Sequence, residues 1–127
     1  VLGIHGAAGG GRDTWKRKEI GALAAKMNAI TYITNEDPYD EDPREIIEEV
    51  AAGALAAGAE EGVNLFLIDE RQEAIEAAIA EAKKGDVVLL TAKGSEMVMA
   101  VAGGKKVAWS DRQAAITALK KLGYGQN

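Results

Sequence analysis

The sequence predicts an α/β domain: a Rossmann-like, mostly parallel sheet with helices on both faces and a C-terminal edge hairpin. Three observations carry this. Apolar runs with β-branched residues alternate with segments of helical period, the order expected when each parallel strand returns through a crossover. The fourth such run, "DVVLLTA", is nearly continuous in apolar residues, as a strand buried on both faces should be. The pattern then changes to two short apolar stretches around "GG" in "MVMAVAGGKKVAW", which reads as a hairpin added at the sheet edge.

The elements follow in order. "VLGIHGA" is a strand and leads into the glycine-rich loop "AGGGRDTW". "RKEIGALAAKM" is a helix with Ile20, Leu23, Ala24 and Met27 on one face. "AITYIT" is the second strand, closed by the acidic loop "NEDPYDEDP". Pro43 then stands in the first turn of "PREIIEEVAAGALAAGA", where its missing N–H does no harm, and Ile46, Ile47, Val50 and Leu55 supply the buried stripe. "NLFLID" is the third strand. "ERQEAIEAAIAEAKK" is an amphipathic helix with Ala74, Ile75, Ala78 and Ile79 at helical spacing and Gly85 as its stop. After the fourth strand and the hairpin, "SDRQAAITALKKL" is the last helix, with Ser110 as N-cap and its closing lysines at the negative end.

At 127 residues the chain is one domain, residues 1–127. Apolar residues make up 47% and charged residues 28%, which excludes a disordered chain, and no apolar run is long enough to cross a bilayer. Without cysteine there are no disulfides and no thiolate metal site, which fits a reducing compartment, and cytoplasm is the expected location. The net charge of -5 argues against nucleic acid and anionic lipid as partners. The chain opens on Val1 inside a strand-like run, so it is expected to be a piece of a longer polypeptide.

In a parallel sheet the strand carboxyl ends share one edge, so the loops after strands one, two and four should meet there. Those loops hold "GGGRDTWKR", "NEDPYDEDP" and "KGSE". Arg12, Lys16 and Arg17 can hold a carboxylate or phosphate, whereas Glu36, Asp37, Asp40, Glu41, Asp42 and Glu96 can accept from an ammonium. An edge of both signs suits a zwitterion, so an amino acid is the expected ligand class. The spacing of Gly3, Gly6 and Gly9 is not the dinucleotide fingerprint, and no P-loop occurs, so a nucleotide site made by this chain alone is not expected. Asp42 is expected to cap a helix. His5 reads as a core histidine, and as the only one it leaves no histidine-based metal cluster. Trp15 and Trp109 read as core residues, and Lys105 and Lys106 as charges protecting a sheet edge.

Four segments in order, "GGGRDTWKR", "TNEDPYDEDPREII", "DERQEAIEAAIAEAKKGDVVLLTAKGSE" and "GGKKVAWSDRQAA", together resemble the C-terminal domain of the Mur ligases, most closely the MurE type. The resemblance implies a Rossmann-like domain following an N-terminal UDP-sugar domain and a central P-loop ATPase domain, both absent from this chain. It implies an ATP- and Mg-dependent ligase of peptidoglycan-precursor biosynthesis that joins an amino acid to UDP-N-acetylmuramoyl-dipeptide, with ATP and Mg bound mainly by the missing central domain. On that basis this chain alone is expected to be inactive.

Carried over by position, Arg12 matches the arginine of the family's "GGDRDKGKR" that helps hold the amino acid, and Asp13, Lys16 and Arg17 match its neighbours close to the nucleotide. Asp37, Pro38 and Tyr39 fall on the "DNPR" specificity motif. Lys93, Gly94 and Glu96 match "GKGHE", whose glutamate faces the substrate's distal ammonium. Tyr39 replaces the arginine that grips the distal carboxylate in diaminopimelate-adding members, a loss of about 2 kcal/mol or more for a buried carboxylate. Asp37 replaces asparagine and adds a negative charge that favours an ammonium. Both changes point to lysine, or another diamino acid without a distal carboxylate, rather than meso-diaminopimelate. Ala92 and Ser95 depart from "GKGHE" and alter the backbone contact expected there. Two alternatives stand beside this reading: a stand-alone binding or regulatory module with the same fold, and the C-terminal domain of a folylpolyglutamate- or cyanophycin-type ligase.

Overall fold

The computed structural model describes residues 1–7, 9, 14–91, 93 and 98–124. Four parallel strands, β1 (Leu2–His5), β2 (Ile30–Ile33), β3 (Leu65–Leu67) and β4 (Val88–Leu90), form one sheet in the order β3-β2-β1-β4. Leu2 is in register with Ile30 on one side and Val88 on the other. The chain therefore winds outward from β1 in one direction and then returns to its other side, which leaves a topological switch point at the carboxyl ends of β1 and β4.

Side-chain alternation divides the core between the two faces. Leu2, Ile4 and Tyr32 point to the face covered by α3 (Arg71–Glu81) and α4 (Asp111–Lys121), where they meet Ala74, Ile75, Ala78, Ala114 and Ala118. Ile33 and Leu65 point to the other face, where they meet Ile46, Ile47, Val50 and Ala54 of α2 (Pro43–Ala56). Each fully buried isoleucine, such as Ile33, Ile47 or Ile75, contributes about 1.5–3 kcal/mol of transfer free energy. The Tyr32 and Phe66 rings stack at 5.4 Å between neighbouring strands. Asp42 caps α2 as expected, accepting from the Arg44 N–H at 2.9 Å with Pro43 behind it. Ser110 caps α4 through the Gln113 N–H at 3.1 Å.

Four details differ from expectation, the first three for a packing reason. In α1 (Lys16–Met27) the buried residues are Arg17, Gly21 and Ala24, whereas Leu23 and Met27 are 58% and 74% exposed. The helix is rotated because its glycine side is pressed onto α2: a Cβ on Gly21 would lie 1.8 Å from the Val50 carbonyl oxygen. For the same reason Gly53 and Ala54, rather than Leu55, complete the buried stripe of α2. At β4, Val87 just before the strand and Leu89 within it are exposed, because α1 lies mainly on β1 and β2 and α2 on β2 and β3; among the described residues, one face of this edge strand is uncovered. Helix α3 ends at an extended Ala82, and Gly85, at φ +93°, serves the following turn closed by Asp86 N–H to the Lys83 carbonyl.

The hairpin forms as β5 (Val98–Val101) and β6 (Lys105–Ala108), antiparallel and paired with each other in a sheet of their own. Among the described residues, no helix is long and apolar enough to cross a membrane.

Candidate functional site

The loops after β1, β2 and β4 meet at the carboxyl edge of the sheet. Gly9 donates its N–H to the Asp37 carbonyl at 2.7 Å, and a Cβ at Gly9 would fall 2.0 Å from the Pro38 carbonyl oxygen. Only glycine permits this approach, so one of the sequence's glycines serves loop-to-loop contact. From the far side, Lys93 reaches in after β4 and donates Nζ to Asp37 Oδ1 at 2.8 Å, with the lysine side chain fully buried.

The hairpin joins the same cluster through the acidic loop. Ala100 N–H donates to Asp37 Oδ1 at 2.8 Å, Gly103 N–H donates to Asp40 Oδ1 at 2.7 Å, and the Tyr39 N–H donates to the Ala100 carbonyl at 3.3 Å. Tyr39 adopts φ +53°, a left-handed conformation that a bulky residue holds only when its surroundings impose it. Here the clip to Ala100, directly after Pro38, does so. The tripeptide Asp37-Pro38-Tyr39 is thus the joint between the glycine loop, the β4 loop and the hairpin.

The sequence-predicted residues divide into three groups. Asp37, Pro38, Tyr39 and Lys93 are brought together. Arg12, Asp13, Gly94 and Glu96 lie outside the described residues, as do Ala92 and Ser95. Lys16 and Arg17 are described, and Arg17 is buried beside the acidic loop: it is 3% exposed, with Nη1 on Glu49 of α2 and Nη2 on Glu41 of that loop, both at 3.0 Å. Burial alone lowers its pKa, but its hydrogen bonds to Glu41 and Glu49, with their charges, outweigh this and the net shift is upward, so it is a fixed cation tying α1 to α2 and to the loop before it. Lys16 is exposed, its Nζ 5.4 Å from the centroid of the exposed Trp15 ring. Trp15 is therefore not the core residue the sequence suggests.

The acidic loop is also less free than its composition suggests. Asp37 holds Lys93, Asp40 holds the hairpin, Glu41 holds Arg17 and Asp42 caps α2. The negative charge expected at Asp37 for a ligand ammonium already has a cation of the chain's own on it.

His5 is structural, as expected. Its Nε2 lies 2.8 Å from the Asn28 side-chain nitrogen and accepts from it, so Nδ1 carries the proton and donates to Thr91 Oγ1 at 3.1 Å. The Thr91 hydroxyl passes a hydrogen bond to the Ile4 carbonyl at 2.7 Å. Burial, and next the nearby Arg71 charge, hold the His5 pKa below its ordinary value.

One cluster at this edge has no counterpart in the reading of the sequence. Arg71, at the start of α3, forms a bidentate pair with Asp111 at the start of α4, Nε to Oδ1 and Nη2 to Oδ2 at 2.9 Å each. It also donates to the carbonyls of Asn35 and Thr91. The Trp109 indole N–H donates to Asp111 Oδ1 at 2.7 Å. A signal was available: a cation in the first turn opposes the positive end of its helix, so Arg71 calls for a local anion. Among the described residues no group of three or more acidic or histidine side chains is placed to hold a metal ion.

Comparison with known proteins agrees with this fold. Residues 2–94 match the family described as Mur ligase, glutamate ligase domain. A UDP-N-acetylmuramyl-tripeptide synthetase of Roseiflexus sp. is 41% identical over 98% of this chain and 24% of the relative's length. A UDP-N-acetylmuramoyl-L-alanyl-D-glutamate--2,6-diaminopimelate ligase of Streptomyces coelicolor is 37% identical over 89% of this chain and 22% of its own length. One of the same name from Prochlorococcus marinus is 40% identical over 89% of this chain and 21% of its own. A solved structure of a ligase so named superposes with a TM-score of 0.82 at 24% identity, over 97% of this chain and 24% of that one, and shows the shared fold. The chain thus spans about a quarter of the length of the relatives it matches.

Proposed function

Because this chain belongs to the Mur ligase, glutamate ligase domain family, we propose that it is the amino-acid-binding domain of an ATP-dependent, MurE-type ligase of peptidoglycan precursors. The observation that carries the reading is the meeting of three loops on Asp37, Pro38 and Tyr39, with Gly9, Lys93 and Ala100 each bonded to that tripeptide. The alternatives of a stand-alone module or a folylpolyglutamate-type ligase have no comparable support, since the relatives are named as muramyl-peptide ligases.

In the proposed reaction ATP supplies the phosphoryl group that activates the carboxylate of UDP-N-acetylmuramoyl-dipeptide. The amine of the amino acid then attacks the activated carbonyl carbon, phosphate leaves, and an amide forms. This domain's part is to orient the amine and choose the side chain. Arg12 is proposed to hold the amino-acid carboxylate, with Asp13, Lys16 and Arg17 toward the nucleotide and Gly94 and Glu96 at the distal end. The described residues do not form a seat for Mg, and no step is assigned to a metal on this chain.

For the distal end we propose lysine over meso-diaminopimelate, on Tyr39 alone: no guanidinium stands at that position to pair a second carboxylate. The charge of Asp37 no longer adds to this, because Lys93 neutralises it. The competing reading, diaminopimelate, is favoured by the names of two relatives. A chimera decides between them. A diaminopimelate ligase of this family, its own C-terminal domain replaced by this chain, is assayed for ADP release with the dipeptide precursor and either amino acid. Preference for lysine supports the proposal, and retained preference for diaminopimelate refutes it.

A further inference from the structure

We infer that Arg71 is a positioning residue for the candidate site: its guanidinium fixes the spacing of the carboxyl ends of β2 and β4, and through them the meeting of Asp37 with Lys93. The inference rests on reading that edge as the amino-acid site. Arg71 is 2% exposed, and besides its pair with Asp111 it donates Nη1 to the Asn35 carbonyl at 3.2 Å and Nη2 to the Thr91 carbonyl at 2.7 Å. Asn35 stands two residues before Asp37, and Thr91 two residues before Lys93. Each member of the Asp37–Lys93 pair therefore hangs two residues beyond a carbonyl held by the same planar group.

The sheet by itself sets a wider spacing than one guanidinium spans. β2 and β4 are not neighbours, because β1 lies between them, and strands two apart are roughly 9–10 Å from each other. One guanidinium nonetheless bonds both chain segments, so the two loops are drawn together over the end of β1. A fork with several fixed donors can hold two carbonyls and a carboxylate at once, which a lysine ammonium on a flexible stem cannot. Asp111, fixed in turn by the Trp109 indole, anchors the fork to α4. The segment that follows the hairpin is thereby tied to the same centre.

The test is Arg71→Lys, read by amide hydrogen exchange at Ala100 and Gly103, whose N–H groups rest on Asp37 and Asp40, against Val50 in the core. Ile47→Val, which touches only the α2 side of the core, controls for lost stability. A positioning role predicts that the ratio of site to core exchange rises about tenfold or more in Arg71→Lys and stays constant in Ile47→Val. Equal acceleration at all three amides in Arg71→Lys would overturn the inference. Should that variant not fold, the unaltered protein is examined for couplings across hydrogen bonds from the Arg71 nitrogens to the Asn35 and Thr91 carbonyl carbons. Both present supports the role, and neither present overturns it. No amino acid is added in these measurements, so a failed lysine titration would sink the amino-acid reading without touching them.

Discussion

The contact between α1 and α2 makes the most quantitative demand on this sequence. In Gly21→Ala the new Cβ would sit 1.8 Å from the Val50 carbonyl oxygen and 2.9 Å from the Ala54 nitrogen. Non-bonded heavy atoms settle at about 3.5 Å, and a backbone carbonyl inside a helix cannot swing aside, so α1 must withdraw by roughly 1.7 Å. One turn earlier, Arg17 holds Glu49 at 3.0 Å from the same helix face, and such a withdrawal takes that pair out of hydrogen-bonding range. Overpacking costs about 1–3 kcal/mol, and the loosened buried guanidinium adds about 1 kcal/mol or more. The gain from replacing a mid-helix glycine with alanine offsets about 1 kcal/mol. The net expectation is a loss of about 2 kcal/mol, which for a domain of this size lowers Tm by roughly 6–10 °C. Urea denaturation gives the free energy directly, with an unchanged slope showing that the unfolded state is unaltered. Gly53→Ala, whose Cβ would meet the Lys18 carbonyl oxygen at 1.9 Å, should behave alike. The double variant should lose less than the sum, since one withdrawal accommodates both. A Gly21→Ala protein as stable as the parent would refute this account of the helix pair.

Other predictions concern the site. In Asp37→Asn the buried Lys93 ammonium loses the Asp37 charge at 2.8 Å, so stability should fall by about 2 kcal/mol. Adding Lys93→Met should recover much of that loss, and a double variant weaker than Asp37→Asn would contradict the pairing. His5 is held neutral in the fold, so the unfolded chain binds the extra proton as pH drops below the ordinary value of 6.5. Stability from this group is complete above that pH and is lost on acidification. The difference between the parent and His5→Gln urea midpoints should therefore narrow between neutral pH and about pH 5, and a constant difference would clear His5 of the role. Tyr39→Arg in the chimeric ligase should raise kcat/KM for meso-diaminopimelate about tenfold or more relative to lysine; no change would remove position 39 from the choice of side chain.

The alternation of strand and helix was legible because it depends on local period, and the caps at Asp42 and Ser110 because capping is a matter of near neighbours. The face of α1 was not. Leu23 and Met27 form a plausible apolar stripe, but tertiary contact through Gly21 and Gly53 overrides it, and a glycine's close approach leaves no hydrophobic signal. The uncovered face of β4 escaped notice because apolar content does not reveal which strand lies at a sheet edge. At the site, position in the sheet foretold that Asp37, Tyr39 and Lys93 would meet. It did not foretell that the loop's carboxylates would be taken by Lys93, Arg17 and backbone N–H groups, since partners so distant in sequence leave no spacing to read. Arg71 and Asp111 escaped for the same reason, being forty residues apart.

The central claim, that this edge receives an amino acid, is tested most directly by titrating the isotope-labelled chain with lysine and following backbone amide resonances. The account predicts saturable, millimolar shifts gathered on Tyr39, Asp40, Lys93 and Ala100, weakened in an Arg12→Ala variant. Shifts gathered instead at the opposite end of the sheet, around Lys83 and Tyr124, or none that saturate, would contradict it.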